Sequence, residues 1–406
     1  MVSKEFDIIL YGATSFVGQI VARYLHEQFS DGTLKWAIAG RSPEKLREVA
    51  ADVGSPTREA IVADAQDEAA LRAMCARGKV IISTVGPYAL FGDKLVAVCA
   101  ESGTHYCDLT GEPHWIRRMQ VAHEETAKRT GARIVHCCGF DSIPSDLGVH
   151  YLQRHSVEHH GEACSRIDMR VMRAKGGASG GTIASMVNLV KEASGDAELR
   201  RELKNPYSLC PPGHDFTIRQ RNVGAEKDER LNRWIAPFIM EAINSKVVHR
   251  SNALSGNAYG TDFLYEEAMV TGKGSGGKRR AKLTAFGLGA FTAGLAIAPL
   301  RWVIGKFLPK PGDGPSEKEQ REGMYDILFL GSTPGGRKLR CRVTGDRDPG
   351  YGSTAKMLSQ AAACLAQDIP DDTPGGFWTP ATLMGDRLVT RLQSHAGLTF
   401  AIEPAE

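Results

Sequence analysis

Gly12, Ala13, Thr14, Ser15, Phe16, Val17 and Gly18 follow the apolar run FDIILY and open an amphipathic stretch. Glycine at 12 permits a tight turn, a small residue at 15 lets main chain approach a pyrophosphate, and glycine at 18 lets the next helix pack on the strand. The amides of residues 14–17 then face a phosphate at the positive end of a helix. An ordinary strand-to-helix bend is the alternative, but a strand before and a helix after are the setting that phosphate binding requires. The second apolar run ends AGRS, so Arg41 and Ser42 stand where NAD sites usually carry an acidic residue. A guanidinium fork suits a 2′-phosphate, which makes NADP(H) the expected cofactor. Asp64, after the third run, is expected to reach the adenine or to cap a helix.

Two more stretches offer groups for proton transfer. In STVGPYALFG, residues Thr84, Val85, Gly86 and Pro87 break the chain and are expected to run along the cofactor, aiming Tyr88 into the crevice. A Gly-Pro turn with a packed tyrosine is the competing reading. In CGFDSIPSDLG, Ser145 or Asp146 suits a helix cap, leaving Asp141 and Ser142 as candidate catalytic residues beside Tyr88. No tyrosine is followed four residues later by lysine, so the proton relay of short-chain dehydrogenases is absent. No Cys/His grouping has metal-ligand spacing, and His155, His159 and His160 read as a solvated helix end.

The elements that must position these groups alternate regularly. Strands are expected at 7–11, 35–39, 60–63, 80–84, 104–108 and 133–137, and helices at 17–28, 43–53, 68–76, 93–102 and 115–130. Such alternation predicts an α/β fold of the Rossmann type, a doubly wound parallel sheet whose ligands sit beyond the carboxyl ends of its strands. The alternation fades from about 150 to 350 and a small-residue helix follows, so an α+β second domain at 151–349 is expected as an insertion. Residues 1–150 and about 350–406 then form the NADP-binding domain.

The chain has 406 residues, enough for two cores, and 50 basic against 47 acidic residues give no charge excess to suggest a nucleic-acid partner. Nine cysteines without CxxC spacing suit reduced thiols. The start, MVSKEFDIILYGATS, lacks the long apolar core of a secretory signal, so a cytoplasmic location is expected.

YGATSFVG, AGRSPEKL, STVGPYALFG, AESGTHYCDLTGE and RIVHCCGFDSIPSDLG, in this order, resemble the saccharopine dehydrogenase-like oxidoreductases, and within them the actinobacterial trans-acting enoyl reductase branch. PGDGPSEKEQREG, GDRDPGYGSTAKMLSQAAACLAQD and GGFWTPATLMGDRL extend the resemblance over most of the chain. It implies a dinucleotide-binding domain interrupted by a second domain, NADP(H) on the turn 12–18, and saturation of acyl chains carried on polyketide synthases. Many relatives read GATGFTG where this chain has Ser15 and Val17; serine is small enough to preserve the turn.

The middle of the chain holds one unusual stretch. Basic residues between Lys273 and Lys282 precede the uncharged run 283–300, and Arg301, Trp302, Lys306 and Lys310 follow. Its glycines and Pro299 disfavour a membrane span. Contact with an anionic membrane surface through 273–310, at the inner face of the cell membrane, or the lining of a greasy route, is expected; a buried helix or homodimer contact is the alternative. Gly176, Gly177, Gly180 and Gly181 suggest a substrate lid, a connector or a second anion loop.

The function expected is an NADPH-dependent reductase of an α,β-unsaturated acyl thioester, a lipid-like substrate on a carrier protein of a polyketide synthase. One alternative is C–N oxidoreduction of an amino-acid adduct, for which Arg166, Arg170 and Arg173 would bind carboxylates. The other is a non-catalytic NADP-binding scaffold docked on membranes.

Overall fold

The computed structural model describes residues 4–177, 180–306 and 314–404. The strands β1 (Phe6–Tyr11), β2 (Trp36–Gly40), β3 (Ala60–Val62), β4 (Gly78–Ser83), β5 (His105–Asp108) and β6 (Arg133–Val135) are all parallel. Helices Phe16–Gln28, Pro43–Asp52, Glu68–Arg77, Asp93–Ser102 and Pro113–Thr130 connect them. Ile8, Ile9 and Leu10 of β1 and Val80, Ile81 and Ile82 of β4 are fully buried, because helices cover both faces of the sheet. β6 stops short of the expected 133–137: Cys137 has φ 62°, and its amide is held by Asp108 Oδ1 at 3.1 Å instead of a neighbouring strand.

A second sheet follows. It contains β7 (Arg166–Lys175), β8 (Glu226–Asp228), β9 (Arg233–Pro237), β10 (Leu264–Gly272), β11 (Met324–Ser332) and β12 (Lys338–Gly345). β11 and β12 form the hairpin expected from their alternating patterns, with Ser332 opposite Lys338. Two strands remain in the tail, β13 (Gly376–Trp378) and β14 (Leu398–Glu403). The first sheet runs β13-β6-β5-β4-β1-β2-β3 and the second β14-β12-β11-β7-β10-β9-β8.

The tail therefore divides between the sheets instead of returning whole to the first. Helix Thr354–Gln367 packs on helix Phe16–Gln28 and on β4 and β5, and β13 extends the first sheet beside β6, whereas β14 pairs antiparallel with β12. Leu398 and Phe400 are buried, which anchors β14 in the second layer. The first sheet reverses order between β1 and β4, so its binding crevice opens beyond their carboxyl ends.

Candidate active site

A cavity of about 1290 Å³ occupies that crevice, between the strand ends of the first sheet and helices of the second domain. The turn after β1 forms its floor. Gly12 has φ +89°, and a Cβ there would lie 2.6 Å from Thr84 Oγ1; a Cβ on Gly18 would lie 2.1 Å from the Gly12 carbonyl oxygen. Only glycine fits at both positions. Ser15 caps the helix, its Oγ accepting from the Gly18 amide at 2.9 Å and lying 3.0 Å from Thr84 Oγ1. Thr84 in turn donates to the Gly12 carbonyl at 2.9 Å. The small side chains thus fold back onto the turn, and Thr14, Ser15, Phe16 and Val17 face the cavity. The Ala13 amide is bonded to the Ala39 carbonyl at 3.2 Å, so Ala13 supports the turn from behind.

Arg41 and Ser42 line the same cavity at the end of β2, and Lys45, one helical turn on, joins them. Among the described residues no acidic side chain pairs with Arg41 or Lys45, which leaves both cations available to a 2′-phosphate. Asp64 also lines the cavity, its Oδ1 accepting from the Gln66 amide at 2.8 Å. The helix cap is Asp67 instead, accepting from Ala70 at 3.0 Å. Thr84, Val85 and Gly86 line the cavity; Pro87 leads into the short helix Tyr88–Phe91. The cradle that two missing Cβ atoms create, with cations at its far end, fits a phosphorylated dinucleotide.

The proton-transfer candidates separate sharply. Tyr88 borders the cavity, but its hydroxyl donates to the Ser83 carbonyl at 3.0 Å and its ring packs on Trp115 at 5.3 Å. Burial holds its phenol far above the usual range, and with its hydroxyl turned to the main chain Tyr88 has the geometry of the packed tyrosine in the competing reading. Ser142 is fully buried away from the cavity and donates to Asn244 Oδ1 at 3.1 Å, a structural tie between two helices that removes it from the site. Asp141 does line the cavity, and burial pushes its carboxyl up to about 7.

Three further residues at the site are Lys45 and Glu112, which lie within AGRSPEKL and AESGTHYCDLTGE but were given no role by the sequence, and Ser185, which lies in no such motif. The Glu112 carboxylate accepts from the amides of Tyr88 and Ala89, both at 2.9 Å, and from Ser185 Oγ at 2.7 Å. It thereby joins the loop after β4 to helix Gly180–Gly195 of the second domain, while burial raises its pKa. TGEP places Glu112 at a strand end, but only the fold brings it to Ser185. Much of the second-domain wall is apolar, with Met186, Leu189 and Val190 of that helix and Leu288 and Ala296 of helix Gly274–Ala296, while Arg200 and Glu241 add one charge of each sign.

Residues 8–135 match the family model described as the saccharopine dehydrogenase NADP-binding domain. A Mycobacterium tuberculosis protein designated a trans-acting enoyl reductase is 39% identical over 98% of this chain and 97% of its own length. The trans-acting enoyl reductase of Mycobacterium bovis is 38% identical over 96% of both chains. The chain belongs to the trans-acting enoyl reductases, within the saccharopine dehydrogenase-like family. Saccharopine dehydrogenase from Saccharomyces cerevisiae shares the fold, with a TM-score of 0.55 at 11% identity over 99% of this chain and 100% of that one.

As a trans-acting enoyl reductase family member the protein is an NADP-dependent oxidoreductase, with an α/β Rossmann-type parallel sheet joined to a second, mixed one. The arginines considered for an amino-acid adduct do not reach its cavity. Arg170 pairs with Asp228 and Glu266, both at 2.6 Å, Arg166 pairs with Asp168 at 2.8 Å, and Arg173 lies elsewhere on β7. Of the glycine-rich stretch, residues 178 and 179 lie outside the described residues, and Gly181 borders the cavity. The apolar run 283–300 is not a buried helix. It ends helix Gly274–Ala296 and enters helix Ala298–Gly305 across a 111° bend; no described helix is long and apolar enough alone to cross a membrane. Lys310 lies outside the described residues.

Proposed function

We propose that the protein reduces the conjugated double bond of a long α,β-unsaturated acyl thioester, presented by a carrier protein of a polyketide-type lipid synthase. The observation that carries this reading is Asp141, just beyond the end of β6, facing a large cavity whose second-domain wall is mostly apolar and has no arginine cluster; Asp141 and Glu241 are the two cavity-lining carboxyls without a hydrogen-bond or ion-pair partner among the described residues. Residues 12–18 with Arg41, Ser42 and Lys45 hold the cofactor, Asp64 and 84–86 flank it, and the first sheet serves as the NADP-binding unit while residues 151–349 supply the acyl-chain wall. Peripheral contact with the inner face of the cell membrane through 273–310 is proposed beside it and does not depend on the identity of the substrate.

Bound NADPH supplies a hydride to the β-carbon of the substrate. The electron pair of the double bond moves toward the thioester oxygen, and Asp141, protonated below about 7, delivers a proton to the α-carbon. Solvent at the cavity mouth returns a proton to the carboxylate. Glu112, bonded to two amides and Ser185, keeps the loop after β4 in place.

The test is Asp141→Asn with an enoyl thioester. The expected kcat/KM falls about 10²–10³-fold while NADPH affinity is kept. Wild-type kcat/KM falls as pH rises through about 7, because the donor is then ionised, and the variant lacks that limb. A variant at wild-type rate with the same pH profile refutes the assignment.

A further inference from the structure

Helix Gly274–Ala296 presents two different faces. At about 100° per residue, Leu288, Thr292 and Ala296 share one face, whereas Phe286 and Leu283 lie roughly 120° and 180° from Thr292. The first face lines the cavity. The second is bare: Phe286 is 75% exposed and Leu283 62%, and beyond the bend Trp302 is 66% exposed. Ile297, Leu300 and Val303 are exposed as well, so six of the twelve large apolar side chains that stand exposed among the described residues fall between 283 and 303. Scattered exposed apolar residues are ordinary; this concentration marks a contact surface.

Its charge selects the occupant. Lys273, Lys278, Arg279, Arg280, Lys282, Arg301 and Lys306 lie within 273–306, which contains no acidic residue. Lys306 Nζ sits 3.5 Å from the Trp302 ring centroid, at the edge of the apolar patch. A second copy of the chain would oppose like charges across a two-fold contact, whereas an anionic bilayer satisfies both the basic rim and the apolar centre. Thr292 and Ala296 are exposed and also border the cavity, so its mouth opens beside the patch.

We infer that the bent helix pair docks on an anionic lipid surface and forms a portal through which the acyl chain passes from the bilayer directly into the cavity. This rests on the acyl-thioester reading for the identity of the cargo, but the docking itself does not. The apolar outer face enters the acyl boundary of the membrane, the lysines and arginines meet lipid phosphates, and the inner face continues the greasy path toward Asp141.

The full-length protein is sedimented with vesicles of phosphatidylglycerol and phosphatidylcholine, and with phosphatidylcholine alone. Binding is expected only to the anionic vesicles and is lost at high salt. Phe286→Asp/Trp302→Asp is expected to weaken binding at least about tenfold, as is Arg279→Glu/Lys282→Glu. In both variants the rate on a vesicle-borne long-chain enoyl thioester falls to match, while the rate on soluble crotonyl-coenzyme A stays at the wild-type value. Wild-type protein that ignores anionic vesicles, variants that bind like wild type, or a stable wild-type dimer that the substitutions dissociate would each overturn the inference. Vesicle binding without crotonyl reduction would overturn the catalytic reading and leave the docking in place.

Discussion

Asp141 and Ser142 are neighbours in sequence and have opposite fates. One backbone step turns the carboxyl into the cavity and the hydroxyl into the contact with Asn244, so composition and loop position could nominate both but not separate them. Asp141 also burdens the fold. Its carboxyl titrates near 7 in the folded chain and near the ordinary aspartate value when unfolded, so its contribution to stability is complete at low pH and is lost as pH rises through about 7. Asp141→Asn is therefore expected to raise Tm at pH 8 by about 2 °C while removing activity, measured by calorimetry at pH 5 and pH 8. An unchanged or lower Tm at pH 8 would show that the carboxylate is satisfied. Gly12 and Gly18 were legible because their reason is local: a turn of fixed spacing leaves no room for Cβ, whatever packs outside it.

At the scale of elements, the hydrogen bond from Ser185 to Glu112 joins two parts of the molecule around the cavity. Helix Gly180–Gly195 supplies apolar side chains to the cavity wall on the second-domain side, so on the proposed function its position should affect the acyl chain more than the dinucleotide. Ser185→Ala is expected to raise KM for the thioester about fivefold, the worth of one hydrogen bond near 1 kcal/mol, with the Kd for NADPH unchanged. Steady-state kinetics and fluorescence titration measure the two; a shift in NADPH affinity alone would contradict this division. The alternating elements of the first sheet were readable from apolar runs and helical spacing. The sequence offered no comparable sign of where helix Gly274–Ala296 lies, because an apolar run reads the same in a core, on a cavity wall or at a membrane.

For the whole molecule, the tail holds the two sheets together. Helix Thr354–Gln367 is buried against the first, and β14 completes the edge of the second with six paired residues from Leu398 to Glu403. Deleting residues 397–406 exposes the β12 edge and the partners of Leu398 and Phe400, so Tm is expected to fall by on the order of 5 °C or more, read by circular dichroism. A truncated protein as stable as the full chain would assign β14 no such role. By itself the sequence determined the parallel first sheet, the glycine turn after β1 and the basic end of β2, since each depends on short-range spacing, backbone sterics and local charge. Tertiary structure alone decided which polar residue faces the cavity, which tyrosine is packed away, and how the tail divides. Those outcomes depend on burial and hydrogen-bond partners brought together from distant positions, as Ser142 meets Asn244 and β14 meets β12.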